Sequence, residues 1–204
     1  MVDFIYGRSG TGKSTEVLLR AEKSARDGKH VYIIVPDRDA VSTERLASEL
    51  HNAGNIDVVT FRRLCNYIFR SLGGICENYI STGAKKLIMH SVLEKLSDEL
   101  AEYGKISKTD LSMTETLVSA RGEMMRNLIS PSDLDMASEK LSGKTAKKAS
   151  DLGKIFSAFD AELSRDYKDP DGMLSAAEKR VLGSGFFSDS EIYIDGFTAF
   201  TAQQ

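Results

Sequence analysis

Residues 1–15 read Met1-Val-Asp-Phe-Ile-Tyr-Gly-Arg-Ser-Gly-Thr-Gly-Lys-Ser-Thr15, a short apolar run that enters Gly7-x-x-x-x-Gly12-Lys13-Ser14. This is the phosphate-binding loop pattern. Its glycines let the backbone wrap tightly around a polyphosphate with successive N–H groups turned inward, and the helix that follows aims the positive end of its dipole at the same anion. Gly7, Arg8, Ser9, Gly10, Thr11 and Gly12 would line the phosphates. Lys13 would reach the β- and γ-phosphates, and the Ser14 hydroxyl would ligate Mg²⁺. Thr15 would touch the α-phosphate or support the first helical turn, and Arg8 would face either phosphate or solvent.

The surrounding pattern gives the loop its setting. Val2-Asp-Phe-Ile-Tyr6 reads as a buried strand, and Glu16 to Ala25 as a helix stopped by Gly28. Val31-Tyr-Ile-Ile-Val35 is a continuous β-branched run ended by Pro36, as expected of a strand buried on both faces. A helix around Thr43–Leu50, a strand at Ile56–Thr60 and a helix at Phe61–Leu72 stopped by Gly73-Gly74 follow. Alternating strands and helices imply a parallel sheet with crossover helices.

From about residue 80 the period becomes helical. Ser81 caps an expected helix with Leu87, Ile88, Val92, Leu93, Leu96 and Leu100 on one face. A second carries Leu111, Leu117, Val118, Met124, Met125 and Leu128 and stops at Ser130-Pro131, and further helices run through Ile155–Phe159 and Met173–Ala177. Asp169 and Asp171 flank Pro170, so turn chemistry accounts for them better than a metal pair. The cluster of Lys144, Lys147 and Lys148 reads as a solvated helix surface.

The strand pattern returns at Glu191-Ile-Tyr-Ile-Asp195-Gly-Phe197. A strand ending in aspartate, far downstream of a phosphate loop, has the form of the second nucleotide motif, whose carboxylate holds Mg²⁺ opposite Ser14. The sheet would then close across the helical block, making that block an insertion.

Composition narrows the classes. The 204 residues carry 28% charged side chains and a formal net charge of −3, so nonspecific binding to nucleic acid through overall charge is disfavoured, and any DNA contact needs a local basic patch. Arg62, Arg63 and Arg70, interleaved with Phe61, Tyr67 and Phe69, offer such a mixture of phosphate contact and stacking. Packing of those aromatics into the sheet explains them equally well. Cys65 and Cys76 show no metal-ligand spacing and are expected to be reduced structural thiols. Neither signal peptide nor membrane span is read from the sequence, which points to the cytoplasm.

Tyr6–Thr15, Ile34-Val-Pro-Asp-Arg38 with Thr43-Glu-Arg-Leu46, Val59-Thr-Phe-Arg-Arg-Leu64 and Ile192–Gln203 together resemble the N-terminal part of the AddB family, the B subunits of ATP-dependent helicase/deoxyribonucleases and relatives of UvrD-like superfamily 1 helicases. The resemblance covers both ends of the chain, while the helical middle agrees in placement and pattern. It implies an α/β fold of the P-loop NTPase (RecA-like) class, a three-layer parallel sheet with a large all-helical insertion. Residues 1–78 would be the first part of the nucleotide domain, 79–187 the insertion and 188–204 the returning strand. It further implies ATP and Mg²⁺ as cofactors, a heterodimer with the motor and nuclease partner (the A subunit), and DNA as the object of recombinational repair at double-strand breaks. On the resemblance alone, Thr60, Arg62 and Arg63 become DNA-side candidates.

The departures from that family pattern are specific. Superfamily 1 helicases carry Asp-Glu at the second motif, the glutamate activating the attacking water, whereas Gly196 follows Asp195 here. Loss of a general base costs ~10²–10⁴-fold in rate. The glutamine motif that reads adenine ahead of the phosphate loop is missing. The second motor domain with its arginine finger, and the nuclease with its cysteine-held iron–sulfur cluster, lie outside these 204 residues, so the chain is read as a fragment ending shortly after the second motif. Two competing readings are a small P-loop phosphotransferase of nucleotides or metabolites, and a scaffold for the motor partner that has lost its nucleotide.

Overall fold

The computed structural model describes residues 2–74, 78–104 and 111–204, without the Leu111 side chain. In chain order α1 (Lys13–Arg26), β1 (His30–Ile34), α2 (Ala40–Ser48), β2 (Ile56–Val59) and α3 (Phe61–Leu72) come first. Helices α4 (Thr82–Leu96), α5 (Leu111–Arg126), α6 (Pro131–Lys140), α7 (Gly143–Asp166) and α8 (Met173–Val181) follow, and the chain returns to strand at β3 (Ser190–Ile194). Two compact units result. One comprises residues 1–75, 176–200 and 204, the other residues 76–175 and 201–203.

The first unit is built on a parallel sheet of order β2-β1-β3. Register is set by Val31 opposite Ile56 on one side and by His30 opposite Ser190 on the other. Because side chains alternate along a strand, Val31, Ile33 and Val35 share one face, where they pack with Ile56, Val58, Val17 and Ala21 of α1 and Ala47 of α2. Tyr32 turns to the opposite face and meets the rings of Phe186 and Phe187. The β-branched run at the centre of the sheet is buried as its sequence requires. α3 starts where Thr60 Oγ1 accepts the Arg63 N–H at 3.4 Å and ends at Gly73 with φ +89°.

The strand expected at Val2–Tyr6 does not form. Val2, Phe4 and Tyr6 are 79, 71 and 84% exposed, and the sheet ends at β3. An apolar run has the side chains of a strand, but a strand exists only through a ladder with a neighbour, and this segment has none among the described residues.

Helix α1 is tied to β3 by a polar cluster. The Glu191 carboxylate accepts Ser24 Oγ at 2.5 Å and Tyr193 Oη at 2.9 Å and pairs with Lys29. These donors, Lys29 foremost, hold the Glu191 carboxyl down at about 2 against an ordinary 4.5. A depressed carboxylate pKa contributes stability that is complete above the unfolded value and is lost as pH falls from about 4.5 towards 2. Glu191→Gln is therefore expected to unfold at lower urea than the parent at pH 7, with the two midpoints converging by about pH 2. A gap that stays constant with pH would contradict this.

The second unit is helical. Ile155, Phe156 and Phe159 of α7 are fully enclosed against Met89, Val92 and Leu93 of α4 and Leu117 of α5. Ser81 Oγ caps α4 by accepting the Ala84 N–H at 3.2 Å. Of the expected apolar face, Val92, Leu93 and Leu100 are buried and Ile88 and Leu96 pack against the core, but Leu87 is 72% exposed, while Lys85 is buried. Lys85 is held by Asp169 at 2.5 Å and Asp171 at 2.7 Å, and Arg126 adds a second cation to Asp171 at 2.6 Å. Asp169 also makes the expected turn, accepting the Asp171 N–H at 2.8 Å. α5 ends at Arg126, ahead of the expected stop, and Ser130-Pro131 instead begins α6, whose Asp133 carboxylate accepts the Ser130 N–H at 2.7 Å. Leu128 has left the helical face and is exposed with φ +58°. Asp151 of α7, 2% exposed, accepts the N–H groups of Ala101, Glu102 and Tyr103 at 3.0, 2.7 and 3.2 Å.

Candidate nucleotide site

Residues 7–12 form an exposed loop that opens directly into α1. Gly10 and Gly12 have φ of +78° and +83°, conformations that side chains with a Cβ rarely adopt. Gly7 is required for a different reason: a Cβ there would lie 2.4 Å from Thr11 Oγ1. Thr11 Oγ1 donates to Arg8 O at 2.8 Å, drawing the loop closed. The Lys13 ammonium folds back over it, donating to Gly7 O at 2.9 Å and Arg8 O at 2.8 Å. Ser14 and Thr15 are exposed on the first turn of α1, as are Arg8 and Ser9 in the loop. Each glycine in the pattern thus has its own geometric reason, and the loop has the bends of a phosphate cradle.

Asp195 follows β3, its N–H donating to Ile34 O at 3.0 Å, so it stands at the C-terminal edge of the sheet. α1 leads into β1 through a short turn and runs antiparallel to the strands, which brings its N-terminus to that same edge. Ser24, near the C-terminus of α1, bonds both Glu191 and Tyr193 of β3, so the helix lies along that strand. The N-terminus of α1 and Asp195, far apart in sequence, therefore lie toward one edge of the sheet. Among the described residues no group of three or more metal-ligating side chains occurs, and a Mg²⁺ site here would rest on Ser14 and Asp195 with phosphate and water.

The residues expected on the DNA side separate. Thr60 is 6% exposed and spends its hydroxyl on the cap of α3. Arg63 pairs with Glu44 of α2, and both line a cavity of about 390 Å³ at the outer edge of β2, with Asn66, Tyr67 and Arg70. Arg62 is exposed. Phe69 is core, with the Arg180 guanidinium 5.1 Å over its ring. An aromatic row that the sequence reading misses runs from Phe61 to Phe197 at 5.5 Å and on to Phe200 at 5.1 Å. The spacing of Phe197 and Phe200 just after the second motif is its one signal in the sequence.

Cys65 is buried and unpaired, and burial pushes its thiol up to about 11, which leaves it inert at neutral pH. Cys76 lies outside the described residues. No helix among the described residues is long and apolar enough to cross a membrane.

Comparison with known proteins adds the family. The family described as ADDB, N-terminal matches residues 4–204. The B subunit of the ATP-dependent helicase/deoxyribonuclease of Clostridioides difficile (strain 630) is 30% identical over 210 residues, which cover 98% of this chain and 18% of that protein. The corresponding B subunit of Ruminiclostridium cellulolyticum is 29% identical over 210 residues, covering 100% of this chain and 18% of the relative. That of Caldanaerobacter subterraneus subsp. tengcongensis is 29% identical over 209 residues, covering 100% of this chain and again 18% of the relative. The chain spans less than a fifth of the length of these curated relatives.

Proposed function

The chain belongs to the AddB N-terminal family, and from that premise we propose that it is the ATP-binding, helicase-like N-terminal part of the B subunit of an ATP-dependent helicase/deoxyribonuclease. In this reading the three-stranded unit is a RecA-like P-loop core and the helical unit its insertion. The full protein pairs with a motor and nuclease partner and acts on broken DNA in the cytoplasm during recombinational repair. The observation that carries the reading is that the N-terminus of α1, into which the loop opens, and Asp195 lie toward one edge of the sheet. Gly7, Arg8, Ser9, Gly10, Thr11 and Gly12 would surround the phosphates, with Lys13 on the β- and γ-phosphates and Thr15 behind them. Ser14 and Asp195 would hold Mg²⁺, which when bound neutralises phosphate charge.

Turnover is a separate matter. Gly196 offers no carboxylate to orient or deprotonate water, so hydrolysis lacks a contribution of ~10²–10⁴-fold. Calorimetric titration of the chain with Mg·ATP, paired with a phosphate-release assay, is expected to give saturable binding with negligible release. Brisk release would sink the argument from Gly196, and absence of any binding heat would sink the nucleotide reading itself.

A further inference from the structure

Ile34-Val-Pro-Asp-Arg38 belongs to neither phosphate motif, yet the structure gives it a direct hold on one of them. β1 ends at Ile34, and the ladder persists for one residue on the β2 side, where the Val35 N–H donates to Val59 O at 2.9 Å. Pro36 brings no N–H to continue it, and the chain turns through Asp37–Asp39 in a single 3₁₀ turn. That turn lies against the peptide that follows β3. Arg38 Nη2 donates to Gly196 O at 3.0 Å, while its Nε donates to Asp39 Oδ2 at 3.2 Å and so steadies the guanidinium. Gly196 sits flush on the turn: at its φ of +79° a Cβ would stand 3.0 Å from Asp39 Oδ2 and 3.2 Å from the Pro36 ring.

Asp195 is thereby fixed from both sides of its own residue. Its N–H is bonded to Ile34 O, and the next peptide is pinned by the Pro36 ring, the Asp39 carboxylate and the Arg38 guanidinium. We infer that Arg38 is a positioning residue for the nucleotide site, holding the Asp195–Gly196 peptide against the turn so that the Asp195 carboxylate is rooted where Mg²⁺ would need it. The inference rests on the nucleotide reading above and deepens it. It also gives Gly196 a structural purpose: the residue after the aspartate is committed to a left-handed backbone packed on Pro36, a place where a side chain would be strained and crowded.

Two measurements on Arg38→Ala test this. Nucleotide affinity is measured with ATP in Mg²⁺ and with ATP in EDTA. Positioning acts only through the metal, so affinity in Mg²⁺ should fall about tenfold, affinity in EDTA should stay at the parent value, and Arg38→Lys, which can still donate to Gly196 O, should recover most of the loss. Amide hydrogen exchange is measured on the nucleotide-free chain, where the Asp195 N–H should exchange about tenfold faster in Arg38→Ala, with the melting temperature unchanged. Equal loss in Mg²⁺ and in EDTA would make Arg38 a phosphate ligand and overturn the positioning role. A parent that binds ATP in a Mg²⁺-dependent manner, with Arg38→Ala matching it in both measurements, would overturn this inference alone. A parent that binds no nucleotide would overturn the functional reading, and the role of Arg38 with it.

Discussion

Lys13→Ala is expected to weaken Mg·ATP binding by about a hundredfold or more in a calorimetric titration, a loss of roughly 2.7 kcal/mol. The ammonium already hangs over the loop, bonded to Gly7 O and Arg8 O, so it is placed before any ligand arrives. A phosphate entering the cradle would exchange those neutral carbonyl acceptors for charged oxygens. Charge-assisted hydrogen bonds of that kind contribute about 1.5–3 kcal/mol each, against about 1 for the neutral ones they displace. Folding should barely notice the change, because the loop is exposed and water can take over both carbonyls. The melting temperature should therefore stay within about a degree of the parent, which separates a binding defect from a folding one. Binding within about threefold of the parent would show that the loop does not hold phosphate through this residue.

Asp151→Ala is expected to give a large loss of stability, about 2–4 kcal/mol in urea unfolding followed by helical circular dichroism. The carboxylate is buried within α7 and collects three successive backbone N–H groups from residues 101–103, so one side chain anchors the chain segment beyond α4. Its removal strands three donors at once and leaves a gap where the carboxyl group stood. Asp151→Asn keeps a single acceptor oxygen and brings an unwanted N–H₂ towards donors, so it should fall between the parent and Ala. A change below about 1 kcal/mol for Ala would mean that water replaces the carboxylate freely and that the cap is incidental.

Lys13 and Asp151 also mark the limits of what can be read in advance. The loop is legible because its requirements are local: Gly10 and Gly12 need positive φ, and the pattern from Gly7 to Ser14 states this within a few residues. The strands β1, β2 and β3 are legible because apolar runs of that length between turn residues have few other uses. Asp151 and Lys85 are not, since both sit in helical segments where a charged residue ordinarily faces water. Only tertiary structure reveals that Lys85 is buried between Asp169 and Asp171, which come much later in the chain. The turn those aspartates make accounts for them on its own, and so hides their second task. Val2–Tyr6 fails for the complementary reason: composition specifies what a strand would be made of, while pairing decides whether it is one. Ser130-Pro131 shows a smaller lesson of the same kind, because a proline read as the stop of one helix stands instead at the first position of the next.

The end of the sheet at β3 has a practical side. Asp195 donates to Ile34 O, so alternate residues Ile192 and Ile194 turn their N–H and C=O groups away from β1, and their side chains remain 44 and 49% exposed. The rim is both hydrogen-bond hungry and greasy, and the formal net charge of −3 supplies little repulsion to keep two such rims apart. Mild acid would remove even that. This strip adds to the exposed Val2, Phe4 and Tyr6 as surface that favours self-association, and buffers above neutral pH and low protein concentration are the conditions that oppose it.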